Sequence, residues 1–253
     1  LSTYRLNKYA VKRLARLSAL LGAAAISDDL ENFHQIRLEI KKIKAVLSLL
    51  GFADIRFDAR KSYLPLRDIF RTAGEIRGPI GLGKLLAQNG VDAQQVRAVA
   101  ASSRQSVRKF RRSLPAFRMA VAELDIAIEA TARAPGTRLI HAYLRSLEDS
   151  VRANLFPRMN RAELHRSRKL IKQIIYLAPL STRRKNPVPS FYSETEEAIG
   201  QWHDTRTVID FLKNQEQPNP ELVARLEKTA RQELRKLRKD VTAWYQGRED
   251  SIR

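Results

Sequence analysis

Apolar residues recur along this chain at steps of three and four. Leu6, Ala10, Leu14 and Leu17 do so near the start. Phe33, Ile36, Ile40, Ile43, Leu47 and Leu50 follow, then Val107, Phe110 and Leu114, and later Leu234, Leu237 and Val241. That spacing gathers side chains on one face of an α-helix, where a neighbouring helix can bury them. No run of any length alternates apolar and polar residues as a half-buried strand does. The pattern predicts an all-α protein. Ser27 and Asp28, with Glu31 beyond them, are the expected start of the helix carrying His34. Breaks are expected at RGPIGLG (77–83), QNG (88–90), RAPGTR (133–138), RRKNPVPS (183–190) and QEQPNP (215–220), where glycine, proline and asparagine gather.

The same pattern repeats on a longer scale. RQSVRKFRR at 104–112 recurs as RQELRKLRK at 231–239, 127 residues on. His34-x-x-Arg37-x-x-x-Lys41 recurs as His165-x-x-Arg168-x-x-x-Lys172, 131 residues on. AGEIRGPIGLGKLL at 73–86 aligns more weakly with IGQWHDTRTVIDFL at 199–212, 126 residues on. Three anchors in one order at nearly one offset point to a duplicated unit. RAPGTR lies between the copies, so residues 1–133 and 134–253 are the expected repeats. Each copy offers about four helices, which predicts two four-helix bundles related by a pseudo-two-fold axis.

Charge sharpens this picture. The formal net charge is +20, a field that attracts polyanions but does not select a fold. The cations are not scattered. At about 100° per residue, His34, Arg37, Lys41 and Lys44 fall within roughly 80° of one another, beside the apolar stripe. His165, Arg168, Lys172 and Tyr176 form an equally narrow row. Arg104, Arg108 and Arg111 share one face, as do Arg231, Arg235 and Arg238. These faces carry almost no acid. Mixed charge at i,i+4 stabilises a helix by ~0.2–0.5 kcal/mol per pair, and like charge destabilises it by a similar amount. Two readings fit single-sign stripes. They solubilise the surface, or a bound polyanion relieves their repulsion.

The histidines have two readings as well. His34 and His165 stand at equivalent repeat positions, able to donate to a phosphate or to orient a neighbouring side chain. His203 aligns with Arg77, which suggests a shared anion-facing slot. Neither His-x-x-x-His nor a carboxylate cluster accompanies them, so no metal site is expected. There is no cysteine, which excludes disulfides and thiolate chemistry and is compatible with the cytoplasm. Apolar runs such as AVLSLLGF at 45–52 are too short to span a bilayer, so no membrane insertion is expected. The N-terminal LSTYRLNKYAVKRLARL is basic and amphipathic and lacks a signal-peptide core.

HQIRLEIKKIK (34–44) and HRSRKLIKQIIY (165–176) resemble the paired histidine signatures of the CHAD domain family, the "conserved histidine α-helical domain". IGQWHDTRTVIDFL is similar to that family's Gly-x-x-Arg-Asp segment, and the resemblance spans about residues 30–245. It implies two helical bundles whose basic faces line a central groove or pore that binds inorganic polyphosphate, with localisation at polyphosphate granules. The carried-over binding residues are His34, Arg37, Lys41, Lys42 and Lys44, and His165, Arg168, Lys169, Lys172 and Tyr176. Family members are fused to or encoded beside triphosphate-processing enzymes, so such an enzyme is an expected partner. The chain departs from the pattern in places. Lysines stand at 41, 42 and 44 where arginine is frequent, Ile175 replaces a basic residue, Arg77-Gly78 lacks the aspartate, and His203-Asp204 lacks the arginine.

The expected activity is therefore non-enzymatic binding of polyphosphate, with no cofactor. Arg77, His203, Arg104, Arg108, Arg111, Arg231, Arg235 and Arg238 join the binding set on repeat and electrostatic grounds. A nucleic-acid-binding helical protein is the alternative. Aromatics are 7 % and do not interleave with the basic stripes, so stacking on single strands is not indicated. A phosphohydrolase or kinase would need metal-holding carboxylates or a P-loop; Glu39, Glu75 and Asp204 make no recognisable constellation.

Overall fold

Periodicity of three and four becomes helix along most of the described residues. A computed structural model describes residues 2–27, 29–129, 135–157, 159–181, 189–216 and 219–250. Nine helices and no strand occur among them: α1 (Ser2–Ile26), α2 (Glu31–Ala53), α3 (Ala59–Gln88), α4 (Ala93–Ala101), α5 (Ser103–Glu129), α6 (Thr137–Leu155), α7 (Arg161–Ser181), α8 (Ser190–Lys213) and α9 (Pro220–Asp250). No helix among the described residues is long and apolar enough to cross a membrane.

The chain forms two compact units, Leu1–Tyr143 and Leu144–Arg253, dividing within α6. The repeat boundary expected at 133/134 lies outside the described residues. In the first unit α1, α2, α3 and α5 pack in a closed ring, each on the next, with α4 laid against α3. Leu6, Leu14, Leu17, Phe33, Ile36, Ile40, Ile43 and Leu47 are buried there, as the stripe predicts. Phe110 on α5 meets Phe33 on α2 edge-on at 5.1 Å and Phe117 at 5.2 Å. In the second unit α8 packs on both α7 and α9. The C-terminal part of α6 reaches α9 through Arg152, whose guanidinium lies 5.7 Å from the Tyr245 ring. Leu164, Ile171, Ile174, Ile199, Val208, Leu237 and Val241 form its core.

The helix ends follow local chemistry. Asp58 accepts from the Lys61 N–H at the start of α3, and Asp92 accepts from the N–H groups of Gln94 and Gln95 at the start of α4. Asn160 and Glu163 exchange side-chain-to-backbone hydrogen bonds before α7, a reciprocal cap. At the end of α3, Gly90 takes a φ of 77°. The Gly90 N–H then donates to Ala87 O, and the Val91 N–H to Leu86 O. That left-handed glycine stop is the one expected at QNG. At the entry to α2, Ser27 Oγ accepts from the Asp29 N–H and Asp29 from the Glu31 N–H. Asp28 lies outside the described residues.

The break expected at RGPIGLG is absent. Residues 77–83 are helical, and α3 runs unbroken through Pro65 and Pro79. A proline inside a helix costs about 3 kcal/mol. Here α3 packs against α2, α4 and α5, with Leu66, Ile69, Ala73 and Ile76 fully buried, and that burial outweighs the local penalty. The stretch is therefore continuous helix, and it packs along α2. Truncating Phe110 to alanine removes the ring between two aromatic partners; denaturant unfolding should show the first unit destabilised by about 3–5 kcal/mol.

Candidate functional site

One face of α3 carries Tyr63, Arg67, Phe70, Gly74, Arg77, Gly81 and Lys84, again at steps of three and four. It runs beside the α2 row of His34, Arg37, Lys41 and Lys44. The key contact is at its centre. The Arg37 guanidinium lies 3.7 Å from the centroid of the Phe70 ring, and its Nη1 donates to the Phe70 carbonyl. It also occupies the space above Gly74, where an added Cβ would collide with Nη1. A side chain at 74 would force the guanidinium to shift from this position.

Charge accumulates on both sides of this contact. Lys44 Nζ lies 4.6 Å from the Tyr63 ring centroid. Burial pushes the Tyr63 phenol up, against the opposing pull of Arg37 and Arg67. Burial and then the neighbouring Arg77 hold Arg37 below the usual guanidinium range, though it stays a cation at neutral pH. At the far end His34, Arg77 and Lys84 line an open cleft of about 580 Å³, with Asp29 and Glu31 on its rim. The His34 imidazole is pushed below 6.5 by burial; Glu31 opposes this, and Arg77, Lys41 and Arg37 add to it. Among the described residues no carboxylate pairs with Arg37 or Arg77. Around these two arginines the row is cationic, with acid at the Asp29–Glu31 end.

The second unit repeats the central contact with different chemistry. Arg168 on α7 lies over Gly200 on α8, where an added Cβ would stand 2.8 Å from Nη2. Arg168 is 131 residues after Arg37, and Gly200 is 126 after Gly74. In place of Phe70 stands Glu196. Its Oε1 accepts from Arg168 Nε at 2.8 Å and lies 2.7 Å from Lys172 Nζ. Burial tends to raise this carboxyl, but the hydrogen bonds from Lys172 and Arg168 win and hold it below its ordinary range. His165 and His203 stack with centroids 6.3 Å apart. Burial, followed by Lys169, His203 and Arg168, lowers His165. Lys169 is exposed, and Tyr176 half-buried.

Other candidates lie elsewhere. Lys42 faces α1: it pairs at 2.8 Å with the buried Glu39, which Arg13 also contacts at 3.3 Å. Arg111 donates to the carbonyls of Ala24 and Ser27 at the end of α1, at 3.1 and 2.9 Å. Arg104 and Arg108 share that face and are exposed, so this stripe lies on the α1 side of α5, away from the α2–α3 seam. Arg238 likewise donates to Met159 O at 3.4 Å. Arg111 ties α5 to the end of α1, and Arg238 ties α9 to the segment between α6 and α7. Arg235 is exposed. Arg231 donates to Glu227 O in its own helix and lines a cleft of about 350 Å³ with Arg161, Trp202 and Arg206.

Tyr63, Arg67, Phe70, Lys84 and Glu196 were not among the expected site residues. The spacing of α3 already contains the first four. Glu196 is 28 residues from Arg168, and only the fold joins them.

No family model matches the chain, and no curated protein matches it in sequence. Among solved structures, PptA from Streptomyces chartreusis is similar, with a TM-score of 0.60 at 15 % identity, over 96 % of this chain and 99 % of that one. The likeness shows a shared helical fold.

The Arg37–Gly74 contact predicts a reversal of sign. With Arg37 present, Gly74→Ala should destabilise the first unit by displacing the guanidinium. In an Arg37→Ala background the same change should stabilise it by about 0.5–1 kcal/mol, as expected for alanine replacing glycine in a helix. A double-mutant cycle in denaturant reads the coupling.

Proposed function

We propose that this chain binds inorganic polyphosphate without turning it over, with the α2–α3 seam as its main contact surface. The observation that carries the reading is the row of cations Arg37, Lys41, Lys44, Arg67, Arg77 and Lys84, with His34 at one end, in which Arg37 and Arg77 have no carboxylate partner among the described residues. From Tyr63 to Lys84 the α3 face extends about 30 Å at 1.5 Å per residue. A row of that length suits a linear polyanion better than a single small anion. Arg and Lys contacts would act mainly by releasing condensed counterions, and guanidinium hydrogen bonds would add positioning.

The recurrence of the Arg-over-Gly contact supports an internal duplication of residues 1–133 and 134–253, and with it a two-bundle polyphosphate module. Attachment to polyphosphate granules in the cytoplasm, beside a triphosphate-processing enzyme, belongs to the same reading and rests on the family resemblance.

Long-chain polyphosphate should bind about a hundredfold or more tighter than tripolyphosphate at fixed salt, because a long chain makes repeated contacts. Arg77→Glu and Lys84→Glu, both at exposed positions, should weaken binding on the order of tenfold or more with helical content unchanged. Equal affinity for the two phosphates contradicts the proposal. Displacement by duplex DNA at equal phosphate concentration favours a nucleic-acid-binding function, and phosphate release with Mg²⁺ present favours an enzyme.

A pH dependence follows from the histidines. His34 and His165 are both held below 6.5 and are neutral at pH 7 in the free protein. A bound polyanion favours imidazolium, so binding takes up protons and affinity rises as pH falls below the raised pKa values of the bound state, levelling off below those of the free protein. Titrations between about pH 7.5 and 5.5 should show a gain of up to about tenfold for each histidine whose pKa moves one unit. The His34→Ala, His165→Ala double variant should lose most of it.

A further inference from the structure

The two seams share a backbone arrangement but differ in charge. At the position four residues before the glycine, the first unit has Phe70 and the second has Glu196. Phe70 lies under Arg37 as a ring and a carbonyl, which leaves the positive charge for a ligand. Glu196 meets Arg168 and Lys172 with one oxygen, at 2.8 and 2.7 Å, while its side chain is only 19 % exposed. A second exchange lies further along the same face. Lys84 in α3 corresponds to Asp210 in α8, 126 residues on. Asp210 in turn takes Arg161 at 3.0 Å and Arg206 at 3.3 Å. At both positions α8 carries an acid that pairs with nearby cations, whereas Phe70 leaves Arg37 without a carboxylate partner among the described residues.

We propose that Glu196 is a built-in counter-anion that determines where a polyanion binds. It occupies the Arg168–Lys172 pair of the α7–α8 seam and so makes the α2–α3 seam the principal capture surface. The inference rests on the polyphosphate reading. A phosphate approaching Arg168 must displace the carboxylate or be repelled by it. At the equivalent place beside Arg37 it meets only an aromatic ring. Half-burial strengthens both the existing pair and the repulsion, because the local dielectric is lower than in water. Removing the negative charge from 196 while keeping the side chain's shape frees Arg168 and Lys172 for an external anion.

The test uses the full chain and fluorescently labelled long-chain polyphosphate, titrated over a series of salt concentrations. Glu196→Gln should tighten binding on the order of tenfold at low salt. The plot of log K against log salt should steepen by about 1–2, as two further cations release counterions. Adding Arg168→Ala to Glu196→Gln should remove that gain, which separates freed charge from a general loosening of the fold. The reverse graft, Phe70→Glu, should weaken binding and flatten the slope. If the wild-type chain binds polyphosphate and Glu196→Gln changes neither affinity nor slope, the counter-anion role is wrong while the polyphosphate reading stands. If neither the wild-type chain nor Glu196→Gln binds at low salt, both are wrong.

Discussion

An arginine seated on a glycine organises this molecule. The Arg37 guanidinium sits in the space that a side chain at position 74 would occupy, and it is held there by the Phe70 ring and carbonyl. The contact brings α2 and α3 together on their polar faces, while Ile36, Ile40 and Ile76 bind the same helices on their buried side. Once that pair is in register, the remaining cations of α2 face those of α3 without further instruction. A half-buried cation with no carboxylate partner is a poor arrangement for stability alone. The carbonyl and ring make it tolerable, and its positive charge remains available to an anion.

The second unit shows the same contact with the charge satisfied. Glu196 completes an ion pair across α7 and α8; Asp210 does so with Arg161 and also pairs with Arg206 within α8. Stability and binding draw on the same side chains and pull in opposite directions. An internal carboxylate stabilises its own helix pair and competes with an external phosphate. The first unit gives up that pairing at Arg37 and keeps it elsewhere, at Glu39 with Arg13 and Lys42, where a buried carboxylate ties α1 to α2. Arg111 and Arg238 are a third use of the same residue type, closing the carbonyl ends of earlier segments.

The helical class and core were legible in the sequence because burial needs only one face, and one face repeats every three or four residues. Phe33, Ile36, Ile40, Ile43 and Leu47 were identifiable for that reason. Pro79 misled because the local penalty is visible in the sequence and the packing of α3 against three other helices is not. Among the site residues, the rows beginning at His34 and His165 were visible as rows. What each cation touches was not. Lys42 is one residue from Lys41, yet one step around a helix turns it toward α1 and Glu39. Arg111 and Arg238 look like members of basic stripes until the segment ends they reach are placed beside them. Glu196 lies in a stretch with no basic motif, and its effect on Arg168 exists only through tertiary contact.

The central claim is that the cationic seam between α2 and α3 is where a phosphate chain lies. A crystal structure of the protein with polyphosphate bound tests it most directly. The account predicts phosphate density running along α2 and α3, within hydrogen-bonding distance of Lys41, Lys44, Arg67, Arg77 and Lys84. Density confined to the arginines of α5 or α9, with the α2–α3 seam empty, would contradict it.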